Sequence, residues 1–180
     1  MDVADQRTGE RPEAAGLVGP GPVPVALRVN GELRRIAVEP RTTLAEALRG
    51  PLGLKGTKLA CDHGACSACS VWLDGRVVAS CSILAIEIGD REVTSIEGLA
   101  SYGALHPVQE AFIAHDAVQC GFCTPGLVMS CAALLASNPR PGPDQVRAAI
   151  SGHVCRCGTY PHVIRAMRSL AGPGGAGHGR

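Results

Sequence analysis

The sequence predicts an α+β protein in two parts, a small sheet carrying one helix and then a bundle of four short helices. Three observations carry that prediction. Apolar residues alternate around Asn30-Gly31 and Asp74-Gly75 in the first half. Prolines at helix starts punctuate the chain after Leu105. The nine cysteines fall as one quartet per half with a single one left over.

With 180 residues the chain suffices for one ordinary domain or two small ones. A net charge of +1 and a pI near 7.6 leave no electrostatic case for nucleic acid or a membrane surface. Two Phe, two Tyr and one Trp mean that any core is built from Val, Leu, Ile and Ala. The opening "MDVADQRTGERPEAAGLVGPGPVPV" lacks the basic start and apolar run of a secretory signal. No stretch reaches the ~20 apolar residues of a membrane helix. The expectation is therefore a cytoplasmic protein without membrane insertion, where thiols stay reduced and clustered cysteines bind metal. An odd cysteine count also argues against a complete disulfide framework.

Each element follows in order. Residues 1–22 are polar, rich in Gly and Pro and free of cysteine, and read as a disordered tail. The strand-rich domain is placed at 23–99. Val25, Leu27 and Val29 alternate, Asn30-Gly31 turns the chain, and Ile36 and Val38 resume the alternation. Thr43 and Glu46 form a capping box for a short helix that Gly50-Pro51 ends. Asp74-Gly75 separates "SVWL" from "RVVAS" in a second hairpin, and "IEIGDREVTSI" reads as a third pair of strands. The join lies in "LASYGA", and the helical domain is placed at 105–171. There Pro107 opens a helix with Val108, Ala111, Phe112 and His115 on one face. Thr124 is the expected cap of "GLVMSCAALLAS", with Pro125 at the first helical position. Pro143 and Asp144 open a third helix closed at Gly152; Pro161 opens a fourth closed by Gly172. Residues 172–180 read as a flexible tail.

In the first half the cysteines stand at Cys61, Cys66, Cys69 and Cys81, a C-x4-C-x2-C run with the fourth after eleven further residues. This spacing matches the plant-type 2Fe–2S pattern, in which two sulfide-bridged irons each need two thiolates. Glycine and small residues (Gly56, Gly64, Ala65, Ser67, Ala68) let the loop wrap a cluster and aim N–H groups at sulfur. A zinc site favours paired CxxC or HxxxH, which four residues between the first two ligands does not offer. Cys61-Asp62-His63 is a CxH, but a Rieske site needs CxxH downstream and this chain has Cys66 and Cys69. His63 is read as an ordinary loop residue.

The second half pairs Cys120 and Cys123 in CxxC with Cys155 and Cys157 in CxC. Residues two apart do not share a helix face, so Cys155 and Cys157 belong to a turn between helices. Two such turns meeting at one end of a bundle supply four sulfurs. Spacing alone leaves an iron–sulfur cluster, zinc and a redox pair open for this quartet. Cys131 has apolar neighbours at helical spacing and reads as a small core residue.

Together, "GTKLACDHGACSACSVWLDGRVVASC", "HPVQEAFIAHDAVQCGFCTPG" and "CRCGTYPHVIRAM" closely resemble the iron–sulfur subunit of the molybdenum hydroxylase (xanthine dehydrogenase) family. That family includes aldehyde, isoquinoline and carbon monoxide oxidoreductases. The resemblance covers about residues 24–171. It implies a β-grasp, ferredoxin-like domain holding one 2Fe–2S cluster through Cys61, Cys66, Cys69 and Cys81. A four-helix domain then holds a second through Cys120, Cys123, Cys155 and Cys157. It further implies a molybdopterin-binding large subunit approached by Gln119 and Cys157. Beyond it stands an acceptor, FAD on a medium subunit or a cytochrome-type haem partner, in a hetero-oligomer. No substrate pocket is assigned to this chain, so no catalytic residue is expected on it. The rival reading is a stand-alone 2Fe–2S carrier with a zinc-binding helical domain. The two domains are expected to fold separately. One departure stands out: the family usually has glycine after the second cysteine of the first motif, where this chain has Ser67. The "CRCGTYP" ending resembles isoquinoline and some aldehyde members more than the "CRCTGY" of xanthine and carbon monoxide enzymes.

Overall fold

A computed structural model describes Gly19, residues 21–100 and residues 103–171. The tails expected at 1–22 and 172–180 lie outside the described residues apart from Gly19, Gly21 and Pro22, as do Ser101, Tyr102 and the Gly172 helix stop.

The first half is a five-stranded mixed sheet. β1 (Val23–Val29) and β2 (Glu32–Val38) pair antiparallel with Val23 opposite Val38. Their turn places both Asn30 and Gly31 at positive φ, +54° and +79°, as a tight two-residue hairpin requires. β3 (Ser70–Leu73) and β4 (Arg76–Ala79) repeat the device around Asp74 and Gly75. β5 (Glu92–Thr94) enters between the hairpins, parallel to β1 and antiparallel to β3, giving the order β2-β1-β5-β3-β4.

Helix α1 (Leu44–Arg49) starts as expected. Thr43 Oγ1 accepts from the Glu46 N–H at 3.2 Å, and the Glu46 carboxylate accepts from the Thr43 N–H at 2.8 Å. Its Leu44, Ala47 and Leu48 join Leu27, Val29, Val71, Leu73 and Val93 in one core.

The expected third strand pair is half wrong. Only β5 forms; Ala85–Glu87 is a 3-10 turn. The Ile86/Ile88 alternation is real at the level of burial, since Ile88 is in the core and Ile86 exposed. The backbone before it, however, is already committed to the α1 start, with Leu44 N–H donating to Ile83 O and Ala85 N–H to Thr42 O.

The second half holds α2 (Pro107–Ala114), α3 (Thr124–Ser137), α4 (Pro143–Ile150) and α5 (Tyr160–Leu170). Leu127, Met129 and Cys131 of α3 are packed among Val108, Phe112, Val146, Ile150, Val163 and Met167. Thr124 is one residue inside its expected place: Cys123 is the cap, because its carbonyl already accepts the first helical bond from Leu127 N–H at 3.1 Å. Gly152 lies beyond the α4 end as expected, and His115 closes α2 rather than lying within it.

Instead of standing apart, the halves share a seam. Trp72 of β3 donates its indole N–H to Met129 O of α3 at 2.9 Å, and Trp72 and Ile96 pack against the helical core. None of the described helices is long and apolar enough to cross a membrane.

Candidate metal centres

The first quartet hangs on a loop pinned at its start. The Gly56 N–H donates to Glu97 Oε1 at 2.7 Å, and Ser95 Oγ donates to the other carboxylate oxygen at 2.6 Å. From the opposite side Arg49 donates to Lys55 O and Thr57 O. A Cβ on Gly56 would stand 2.2 Å from Ile96, so the close approach needs glycine.

Beyond this anchor the chain reverses through left-handed residues, Asp62, Gly64 and Ser67 at φ +57°, +78° and +56°. That winding turns N–H groups inward: Gly64 donates to Cys81 Sγ at 3.2 Å and Ala65 to Cys61 Sγ at 3.3 Å. Cys81 arrives on the 3-10 turn directly after β4 and is buried with Cys69 against Ala45 of α1.

The thiols meet in pairs, Cys61 with Cys66 and Cys69 with Cys81. Hydrogen bonding from the His63 backbone and the Cys66 thiol draws the Cys61 pKa down to about 6. Burial pushes that of Cys69 up to about 11. His63 is exposed, as an ordinary loop residue is.

The second quartet is assembled from two turns. Cys120 and Cys123 precede α3; Cys155 and Cys157 precede α5. Here too the thiols pair, Cys123 with Cys155 and Cys120 with Cys157. Burial pushes the Cys123 thiol up to about 12. At Cys155 burial acts the same way, but the Thr159 hydroxyl, 3.3 Å from the sulfur, leads the hydrogen bonds that bring it down to about 7. Cys120 and Gln119 are exposed at the rim, beside the exposed side chains of Val118 and Phe122. Cys131 lies apart, wholly buried, its thiol pushed up to about 12 by burial alone.

Pairwise meeting is what a two-iron cluster asks of a protein, two thiolates per iron, whereas structural zinc asks four donors to converge on one point. Both quartets fit a 2Fe–2S group in residue type and pairing, and the first also turns N–H donors toward its sulfurs.

Several contributors escaped sequence reading. Ser130 Oγ lies 2.7 Å from His153 Nε2, Tyr160 Oη accepts from the Cys155 N–H at 2.7 Å, and Val154 N–H donates to Cys66 O at 3.1 Å. Gly126, in the first turn of α3, is a sequence signal of close approach between the halves, a Cβ there standing 2.4 Å from Ser67 O.

Fold and sites together define an iron–sulfur protein of two unlike 2Fe–2S modules. Residues 27–96 match the model of the 2Fe-2S iron-sulfur cluster binding domain, and residues 95–168 match that of the [2Fe-2S] binding domain. The iron-sulfur-binding subunit PaoA of an Escherichia coli O157:H7 aldehyde oxidoreductase is 42% identical over 173 residues, covering 88% of this chain and 76% of that subunit. The small subunit of nicotine 6-hydroxylase from Paenarthrobacter nicotinovorans is 45% identical over 156 residues, 87% of this chain and 93% of its own length. A crystal structure of quinoline 2-oxidoreductase from Pseudomonas putida 86 superposes with a TM-score of 0.81 at 39% identity, over 84% of this chain and 93% of that one. The chain belongs to the family of iron–sulfur small subunits of molybdenum hydroxylases.

Proposed function

We propose that this chain is the electron-transfer subunit of a molybdopterin-dependent hydroxylase. In this reading Cys61, Cys66, Cys69 and Cys81 hold one 2Fe–2S cluster and Cys120, Cys123, Cys155 and Cys157 the other. When bound, such clusters take up and release single electrons. The residues of the chain do the rest. The observation that carries the reading is the direct contact of the two quartets, through Cys66 O accepting from the N–H of Val154, neighbour of Cys155. It ties the loop that carries Cys66 to the turn that carries Cys155.

The exposed rim at Gln119, Cys120 and Phe122 suits the face turned to a molybdopterin-binding large subunit, with Gln119 and Cys157 nearest the pterin. The exposed Asp62–Ala65 loop suits the exit side, toward FAD on a medium subunit or a cytochrome-type haem. Substrate chemistry then belongs to the large subunit, and a cytoplasmic setting would keep the thiols of the quartets reduced.

Metal analysis tests the reading. Four irons and no zinc per chain are expected; two irons with one zinc would establish the stand-alone carrier with a zinc-binding helical domain instead. With the large subunit added, aldehydes and N-heterocycles should lower the visible absorbance of the chain, and the acceptor subunit should restore it.

A further inference from the structure

We propose that Tyr160, backed by His153 and Ser130, is the positioning residue that sets Cys155 opposite Cys123 in the helical quartet. The inference rests on the reading that this quartet holds a 2Fe–2S cluster. Cys123 is fixed simply: it caps α3 and its carbonyl accepts the first bond of that helix. Cys155 has no helix to hold it and sits in the turn between α4 and α5.

The Cys155 carbonyl accepts from Gly158 N–H at 3.3 Å and its sulfur meets the Thr159 hydroxyl, but its own N–H is held by one phenol. Tyr160 Oη accepts from the Cys155 N–H at 2.7 Å and donates to His153 O at 2.8 Å, so both hydrogen-bonding roles of the hydroxyl are spent on this turn. The His153 ring, 5% exposed, then reaches back to Ser130 Oγ in the middle of α3 at 2.7 Å. The path runs from Ser130 through the His153 ring and carbonyl to the Tyr160 hydroxyl and the Cys155 N–H. It starts on the very helix whose first turn presents Cys123. The spacing of that thiol pair is therefore set from α3 at both ends.

A buried hydrogen-bonded unit of this kind is cooperative, so its members should not act additively. The same bonds also keep the Cys155 N–H off sulfur, and hydrogen bonds near cluster sulfurs tune reduction potential.

The test uses the full iron-loaded chain. Iron content of the parent comes first: fewer than four irons refutes the functional reading, and the clamp is then read from zinc affinity of the helical quartet, which Tyr160→Phe should weaken and which, left unchanged, would overturn the proposal. With four irons, Tyr160→Phe keeps the ring and removes the hydroxyl. Expected are a shifted potential and altered paramagnetic resonance signal for the helical-domain cluster, with the other cluster (assigned as the signal lost in Cys69→Ser) unchanged. Ser130→Ala should shift the same signal less, and the double variant less than the sum. Loss of the helical iron alone, with helical circular dichroism retained, also supports positioning. Unchanged signals, equal shifts in both clusters, or loss of helical structure would overturn the proposal.

Discussion

The two quartets reach the same pairing of thiols by opposite means. The first is local: three of its cysteines lie within nine residues, and their N–H donors come from the same loop, Gly64 and Ala65. The second is tertiary. Its halves are separated by 31 intervening residues, and side chains from α3 and α5 hold the turn that carries Cys155 and Cys157. A site wound from backbone should respond to changes in φ and little else. A site held by side chains should respond to packing, and to protonation near its helices.

The sharpest test of that contrast falls on the seam, where the two kinds of site touch. A Cβ on Gly126, in the first turn of α3, would stand 2.4 Å from Ser67 O and 3.3 Å from Ala68 Cα, both backbone atoms of the cysteine loop. Alanine is worth about 1 kcal/mol over glycine in a helix, but backbone cannot swing aside as a side chain can. Gly126→Ala is expected to lower stability in urea by about 3 kcal/mol, the overlap exceeding the propensity gain. The magnetic coupling between the two reduced clusters should weaken with it. A more stable variant would show the seam to be soft.

Gly64→Ala is the matching change inside the local site. Gly64 sits at φ +78°, and an added Cβ would meet only Ser82 Oγ, at 2.8 Å, a side-chain tip able to rotate. The cost is then mostly backbone strain, about 1–2 kcal/mol. The shift in potential should be confined to the first cluster, since the Gly64 N–H points at Cys81 Sγ. Equal shifts in both clusters, read by redox titration, would contradict a locally held site.

These two glycines also mark what the sequence made legible. Hairpins at Asn30-Gly31 and Asp74-Gly75, the Thr43/Glu46 box and both cysteine spacings are short-range chemistry, and each is read from neighbours. The placement of β5 between β1 and β3 is not, because its register with Arg28 and Trp72 depends on strands far away in the chain. The same holds for Trp72 with Met129, 57 residues apart, and for Ser130 with His153, 23 apart. Tyr160 stands in the same case: only the folded turn brings its hydroxyl to the Cys155 N–H, at 2.7 Å.

Acid should loosen the helical half first. The cap of α1 uses the Thr43 hydroxyl and the Glu46 carboxylate, whereas that of α2 uses an imidazole, His106 Nδ1, accepting from Val108 N–H at 3.2 Å. Partial burial holds the His106 pKa below the ordinary 6.5. As pH falls through 6.5 the unfolded chain therefore takes up the proton before the folded one does. Stability is full above that value, declines between it and the lower folded pKa, and levels off beneath. The protonated ring can no longer accept, so up to about 1 kcal/mol of cap is at stake. His106→Asn keeps an acceptor and should flatten part of the decline in melting temperature from pH 7.5 to 5.5. The buried His153, drawn down to about 4, contributes to parent and variant alike. An identical decline in both would remove His106 from the explanation.

The smallest expected effect is at Ser67, where family relatives are expected to carry glycine. Its φ of +56° is left-handed, the region that favours glycine, and among the described residues no hydrogen bond of the Ser67 hydroxyl compensates. Relieving the strain by Ser67→Gly gains about 1 kcal/mol, but glycine also loosens the unfolded chain by about 0.5–1 kcal/mol. The net should be a stabilisation well below 1 kcal/mol, close to the limit of a denaturant titration. The potential is the better readout. Ser67 lies between Cys66 and Ala68, and its Oγ would stand 3.2 Å from a Cβ on Gly152, so the hydroxyl sits in the crevice between the two quartets. Removing it opens that crevice without moving a ligand. A small shift in both potentials is therefore expected from this one substitution, unlike Gly64→Ala and Tyr160→Phe, each of which should move a single cluster. A shift in the first cluster alone would place the hydroxyl's influence on the loop, and the idea of a shared crevice would fall.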